Sequence, residues 1–141
     1  MSSKIARVAA VALTLAAGLA LTGCLGGPSS VAAFEREQVA EDRAPTGILE
    51  QSGVAPESTR LLADVDGTSY FAGKMANSSN VCLIHSRADD DWGVTCSSGL
   101  PVTTSTSDGT EIMFAGGGSL PDANGWHFVA DNIAVRDASA D

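Results

Sequence analysis

The chain has 141 residues, with 8 Lys and Arg against 17 Asp and Glu and a formal net charge of −9. That length leaves room for one domain at most. The acidic balance argues against a nucleic-acid binder, which must neutralise phosphates with Lys and Arg, and it provides no electrostatic pull toward an anionic membrane surface.

The first stretch reads as an export signal. Lys4 and Arg7 form a short basic flank, and Val8 to Leu21 is an uncharged run of Ala, Val and Leu broken only by Thr14 and Gly18. A run of about 14 residues is too short for the ~20 that span a bilayer as a helix, and it fits the apolar core of a secretory signal.

Leu21-Thr22-Gly23-Cys24 follows directly and resembles the lipobox of bacterial lipoproteins. The resemblance implies that the Cys24 thiol is joined to diacylglycerol and that a type II signal peptidase cuts before it. The residue types suit that chemistry. Small Thr22 and Gly23 let an extended backbone enter a protease, and a thiol is a good nucleophile for alkylation. Two acyl chains anchor stably where one would be marginal. Residues 1–23 are therefore expected to be removed and Cys24 to become the lipid-bearing N-terminus. Loss of Lys4 and Arg7 takes the net charge from −9 to −11.

Residues 24–30 form the expected tether: Gly26, Gly27, Ser29 and Ser30 make it flexible, and Pro28 bars a helix interior. Residues 31–57 are expected as a helical or irregular stalk. Val31 to Arg43 is compatible with a helix, with Ser29 or Ser30 as cap, Glu35 and Glu37 in the first turns and Pro45 as stop. Its apolar residues Val31, Phe34 and Val39 form no continuous stripe. Ile48 to Val54 suggests one further helical turn, closed by Gly53.

From residue 58 the pattern changes to strands and tight turns. Thr59 to Val65 and Thr68 to Lys74 flank Asp66-Gly67, a two-residue hairpin signal. That register sets Val65 against Thr68, Ala63 against Tyr70 and Leu61 against Ala72, with Leu62 and Phe71 on the other face. Val81 to Ser86 and Trp92 to Ser97 form a second pair, Val102 to Ser107 and Thr110 to Ala115 a third around Asp108-Gly109, and Trp126 to Ala130 with Ile133 to Arg136 a last one around Asp131-Asn132. Gly116-Gly117-Gly118 and Pro121 to Gly125 read as loop. Residues 137–141 read as a disordered tail that frays. The expected fold is α+β and mostly β: a short N-terminal helix, then a small antiparallel meander over 58–136, curled into a sheet or partial barrel.

With Cys24 lipidated, Cys82 and Cys96 remain as an even pair in an exported domain, where disulfides persist. A turn centred on Asp89 sets Cys82 against Cys96, Ile84 against Val94 and Ser86 against Trp92, all on one sheet face. Opposed Cβ atoms lie about 4.5–5.5 Å apart, so modest closing makes a bridge. Free buried thiols or a redox pair are the alternatives, and the Cys-x-x-Cys spacing of many redox pairs is absent.

Other chemistry finds little support. Asp89-Asp90-Asp91 lacks the alternation, the glycine and the closing glutamate of a calcium loop. Asp64 and Asp66 alternate, but Gly67 makes that segment a turn. His85, on the face opposite the cysteines, and His127 are too few for a zinc site. No Gly-x-Ser-x-Gly or Ser-x-x-Lys occurs, and the glycines at 116–118 precede no lysine. Tyr70, Phe71, Trp92 and Trp126 are assigned to the core.

Ser58-Thr59-Arg60-Leu61-Leu62, Val81-Cys82-Leu83-Ile84, Cys96 and Gly99-Leu100-Pro101-Val102 together resemble a group of small exported lipoproteins of high-GC Gram-positive bacteria. The resemblance implies fold and location and carries over no activity. The expectation is thus a non-enzymatic lipoprotein without a cofactor or metal. The diacylglyceryl group on Cys24 would hold it to the extracytoplasmic face of the cell membrane, where it acts through an envelope protein partner or as envelope support. A lipoprotein that binds a small ligand or cation is the alternative.

Overall fold

Asp66 and Gly67 both take positive φ, 51° and 76°, the two-residue turn geometry whose twist matches that of the flanking strands. They join β1 (Arg60–Val65) to β2 (Thr68–Lys74). The computed structural model describes residues 31–88, 90–116 and 125–137. β2 pairs with β3 (Val81–Ala88), and β3 with β4 (Asp91–Ser97), giving a four-stranded antiparallel meander in the order β1-β2-β3-β4. β5 (Val102–Ser105), β6 (Thr110–Phe114), β7 (His127–Ala130) and β8 (Ile133–Asp137) form a second four-stranded sheet.

The expectation of one continuous meander is corrected here. The second sheet runs β5-β6-β8-β7, so β8 returns to pair with β6 and β7 becomes an edge strand. β1 lies against β7 and β4 against β5, which makes two stacked sheets and no closed barrel. The apolar faces decide this arrangement. Both sheets carry buried residues on their facing sides, including Leu83 and Tyr70 from the first and Ile112, Phe114 and Ile133 from the second. Each such side chain contributes about 1.5–3 kcal/mol by leaving water. The chain crosses between the sheets through Ser98 to Pro101, where the Leu100–Pro101 peptide is cis.

The first sheet is covered on its other face as well. α1 (Thr46–Ser52) lays Ile48 and Leu49 on Phe71, Cys82 and Ile84. Gly53 ends this helix in the left-handed conformation at φ 74°, with its N–H on the Leu49 carbonyl, as a C-terminal cap requires. Val54 then bridges to Met75, and the Ala55 N–H donates to the Lys74 carbonyl at 2.9 Å. Gly73 leaves space for this crossing: a Cβ there would stand 2.7 Å from the Val54 side chain.

The helix expected over Val31 to Arg43 does not form. Two short 3-10 turns, Ala32–Glu35 and Ala40–Asp42, flank an extended segment instead. Residues 31–44 thus make a strap across β1. The stretch read as a stalk, 31–57, supplies Val31 to the inner core and Ala44, Ile48, Leu49 and Val54 to the outer one. Without a continuous apolar stripe, a helix over 31–43 would have buried too little surface, and the side chain of Asp42 supplies the competing backbone contacts described below.

Two registers also depart from expectation. A bulge between Leu61 and Ala63 sets Leu61 against Phe71 and Arg60 against Ala72, although Val65–Thr68 and Ala63–Tyr70 stand as expected. The bulge places Leu61 with Phe71 on the α1 side and turns Leu62 into the inner core. In the third hairpin the Thr106 N–H donates to the Thr110 carbonyl and the Gly109 N–H to the Thr106 carbonyl. The loop is therefore Ser107-Asp108-Gly109, three residues with glycine in the left-handed position at φ 87°.

Candidate functional site

Leu21, Thr22, Gly23 and Cys24 lie outside the described residues, as does Asp89. The second expected feature is present. β3 and β4 pair Cys82 with Cys96, Ile84 with Val94 and Ser86 with Trp92. A disulfide joins the two cysteines across Cα atoms 4.0 Å apart. Cys82 is fully buried beneath α1, and Cys96 on the edge strand β4 is partly buried against the same cluster.

The remaining candidates are dispersed. Tyr70 faces the inner core and Phe71 the outer one. Trp92 packs on the α1 side. Trp126 lies beyond the second sheet, where the Arg136 guanidinium stands 4.8 Å from its ring centroid. The aromatics thus serve three separate layers and form no common surface. Asp64 accepts a hydrogen bond from the Ser69 hydroxyl at 3.0 Å beside the Asp66-Gly67 turn. Among the described residues no group of three or more His, Cys, Asp or Glu converges as metal ligands would.

His85 and His127 are far apart in character: His127 is exposed on β7, whereas His85 is buried. His85 packs over Gly93, where a Cβ would come within 2.4 Å of the imidazole. Its Nδ1 has no hydrogen-bond partner among the described residues. Burial pushes its pKa below the usual imidazole value, and the Arg87 charge acts in the same direction while Asp91 opposes both.

Sequence reasoning missed two polar assemblies. The first is a latch between the sheets. Arg87 of β3 donates to Asp108 in the β5–β6 loop at 2.8 Å and pairs with Asp91 at 3.5 Å. The Ser107 hydroxyl donates to Asp91 at 3.2 Å. The Thr106 hydroxyl and the Thr110 N–H both donate to Asp108, and these bonds, with Arg87, hold its carboxyl well below the usual carboxylate range. Arg87 therefore faces two carboxylates, Asp91 at the start of β4 and Asp108 from the other sheet.

The second assembly fixes the strap. Asp42 is 1% exposed. Its Oδ1 accepts from Arg36 at 2.6 Å and from the Leu61 N–H at 2.9 Å. Its Oδ2 accepts from Arg36 and from the Val39 N–H. The paired Arg36 and these backbone donors hold its pKa far below the ordinary range, against the opposing effect of burial. Gln38 donates to the Pro56 and Thr59 carbonyls, and Arg60 to the carbonyls of Arg36, Glu57 and Thr59. Lys74 stands 4.6 Å from the Phe34 ring centroid. Arg36 and Asp42 pair with each other within the strap, but the Leu61 N–H that Asp42 accepts and the Pro56 and Thr59 carbonyls that Gln38 reaches lie outside it, where sequence spacing gives no sign of them.

Two open grooves flank the strap. One, of about 560 Å³, runs beside α1 with Leu49 and Val54 at its apolar wall and Arg43, Glu50 and Glu57 at its rim. The other, of about 430 Å³, lies between Ala32 and Ala33, Leu61 and Leu62 of β1, and the β7–β8 turn. No helix among the described residues is long and apolar enough to cross a membrane. The chain matches no protein-family model, no curated protein and no solved structure.

Proposed function

We propose that this chain is a lipoprotein anchored through a diacylglyceryl group on Cys24 to the extracytoplasmic face of the cell membrane. It acts there without catalysis, by contact with an envelope protein or by envelope support. One observation carries the reading: a basic flank, a short apolar run and Leu21-Thr22-Gly23-Cys24 stand in immediate succession, and hydrophobicity falls away after them. The Cys82–Cys96 bridge supports it, because structural disulfides persist outside the cytoplasm. The acidity of the chain supports it too, since a protein with this charge needs a lipid to stay at an anionic surface.

The test is metabolic incorporation of a palmitate analogue, followed by crosslinking and capture from native membranes. Label on the wild type that is absent from Cys24→Ala, with the same envelope proteins crosslinked in repeated captures, supports the reading. Turnover of an envelope substrate by the folded domain would overturn its non-catalytic part. Binding of a small ligand is the second reading, and the groove beside α1 favours it, with a volume inside the ~300–1,000 Å³ of ordinary ligand sites. A ligand whose stabilising effect disappears in Arg43→Ala would establish that reading.

A further inference from the structure

Val31 is 5% exposed and belongs to the inner core, so the backbone there is fixed relative to the sheets. The turn that follows it lies against β1, and Ala32 and Ala33 share a groove with Leu62 and Ala130. This is the lateral edge at which β1 stacks on β7. The opposite lateral edge is formed by β4 and β5.

Cys24 precedes Val31 by seven residues, which span at most about 25 Å when fully extended. That reach is shorter than the roughly 30–35 Å breadth of a folded unit of about 100 residues. A lipid on Cys24 therefore keeps the β1–β7 edge close to the bilayer. The apolar surface points the same way. The large apolar side chains that stand exposed among the described residues are Val39, at 53%, and Phe128, at 40%. Val39 is on the strap and Phe128 on β7, both of them elements of this edge. Charge does not drive the contact, because exposed Glu35, Glu37 and Glu41 on the strap repel anionic lipid.

We propose that the β1–β7 edge, with the strap across it, is the face this domain turns to the lipid surface, seating Val39 and Phe128 at headgroup level. The proposal rests on the reading of Cys24 as the lipid-bearing residue. It leaves the β4–β5 edge, with the Arg87–Asp108 latch, directed away from the membrane.

The experiment uses the full lipidated chain in phosphatidylcholine vesicles containing a headgroup-nitroxide lipid. A Trp92→Phe, Trp126→Phe background receives one reporter at a time: Phe128→Trp, Val39→Trp or, on the far edge, Ser105→Trp. All three reporter positions are exposed, so no reporter replaces a core side chain, and the doubly substituted background is the common reference for the three. Quenching at 128 and at 39 is expected to exceed that at 105 about 2-fold or more, given the short tether. Phosphatidylglycerol should reduce this difference by repelling the strap glutamates. Co-flotation with the vesicles is read separately. A chain that floats with equal quenching at the three positions overturns the orientation and leaves the anchor standing. A chain that does not float overturns the anchor, and this proposal with it.

Discussion

Opening the Cys82–Cys96 bridge is the sharpest perturbation of the fold. The cysteines are 14 positions apart, and closing a loop of about 15 residues stabilises a domain by roughly 3 kcal/mol on the chain-entropy argument. For a unit of about 100 residues each kcal/mol moves Tm by about 4–8 °C. The Cys82→Ala/Cys96→Ala variant should therefore melt about 12–24 °C below the oxidised wild type, with a further loss from the small cavity left beneath α1. Thermal denaturation by circular dichroism, with and without dithiothreitol, measures this on the chain from residue 25 onward. The sheet itself should survive, because Ile84–Val94 and Ser86–Trp92 hold the register without the sulfurs. The reasoning fails if the reduced and oxidised forms melt within about 4 °C of each other, less than 1 kcal/mol on the same scale.

Asp42→Ala should cost about 2–4 kcal/mol in a urea titration, since it strips the Leu61 and Val39 N–H groups and Arg36 of their acceptor. The Asp42 pKa is lowered in the fold, so its stabilisation is present above the ordinary carboxylate range and is lost as pH falls through and below it. Asp42→Asn should flatten that acid limb of the stability curve. His85 acts higher on the scale: its folded pKa is also lowered, so the unfolded chain takes up the proton first. Stability should then fall as pH drops below about 6.5, and His85→Gln should remove that slope. Gly93→Ala should cost about 1–3 kcal/mol by overpacking against the imidazole, and His85→Ala in the same chain should recover part of the loss.

The second hairpin was legible because alternation fixes register once a turn is placed, and Cys82, Ile84 and Ser86 all met their expected partners. The turn at Asp66-Gly67 was legible for the same reason, yet the bulge at Leu62 was not. An extra residue in a strand leaves no mark on composition, and here it exchanged the faces of Leu61 and Leu62. The pairing of β6 with β8 was hidden because β7 lies between them in sequence, and hairpin signals report only neighbours. The strap was hidden more deeply. Asp42 sits among charged residues in a segment read as compatible with a helix, and one of the donors that satisfy it when buried is the Leu61 amide 19 positions away. The burial of His85 leaves no mark on the strand pattern, and Gly93 opposite it is what makes room for the ring. The polar assemblies therefore lay beyond sequence reading, while the disulfide did not.

The proposed anchor stands or falls with the covalent state of Cys24. Intact-mass measurement of the protein isolated from its native membrane decides this directly. The predicted species begins at Cys24, lacks residues 1–23 and carries the added mass of a diacylglyceryl group. A species that retains residues before Cys24 and bears no acyl mass would contradict the anchor, the assigned location and the orientation built on them.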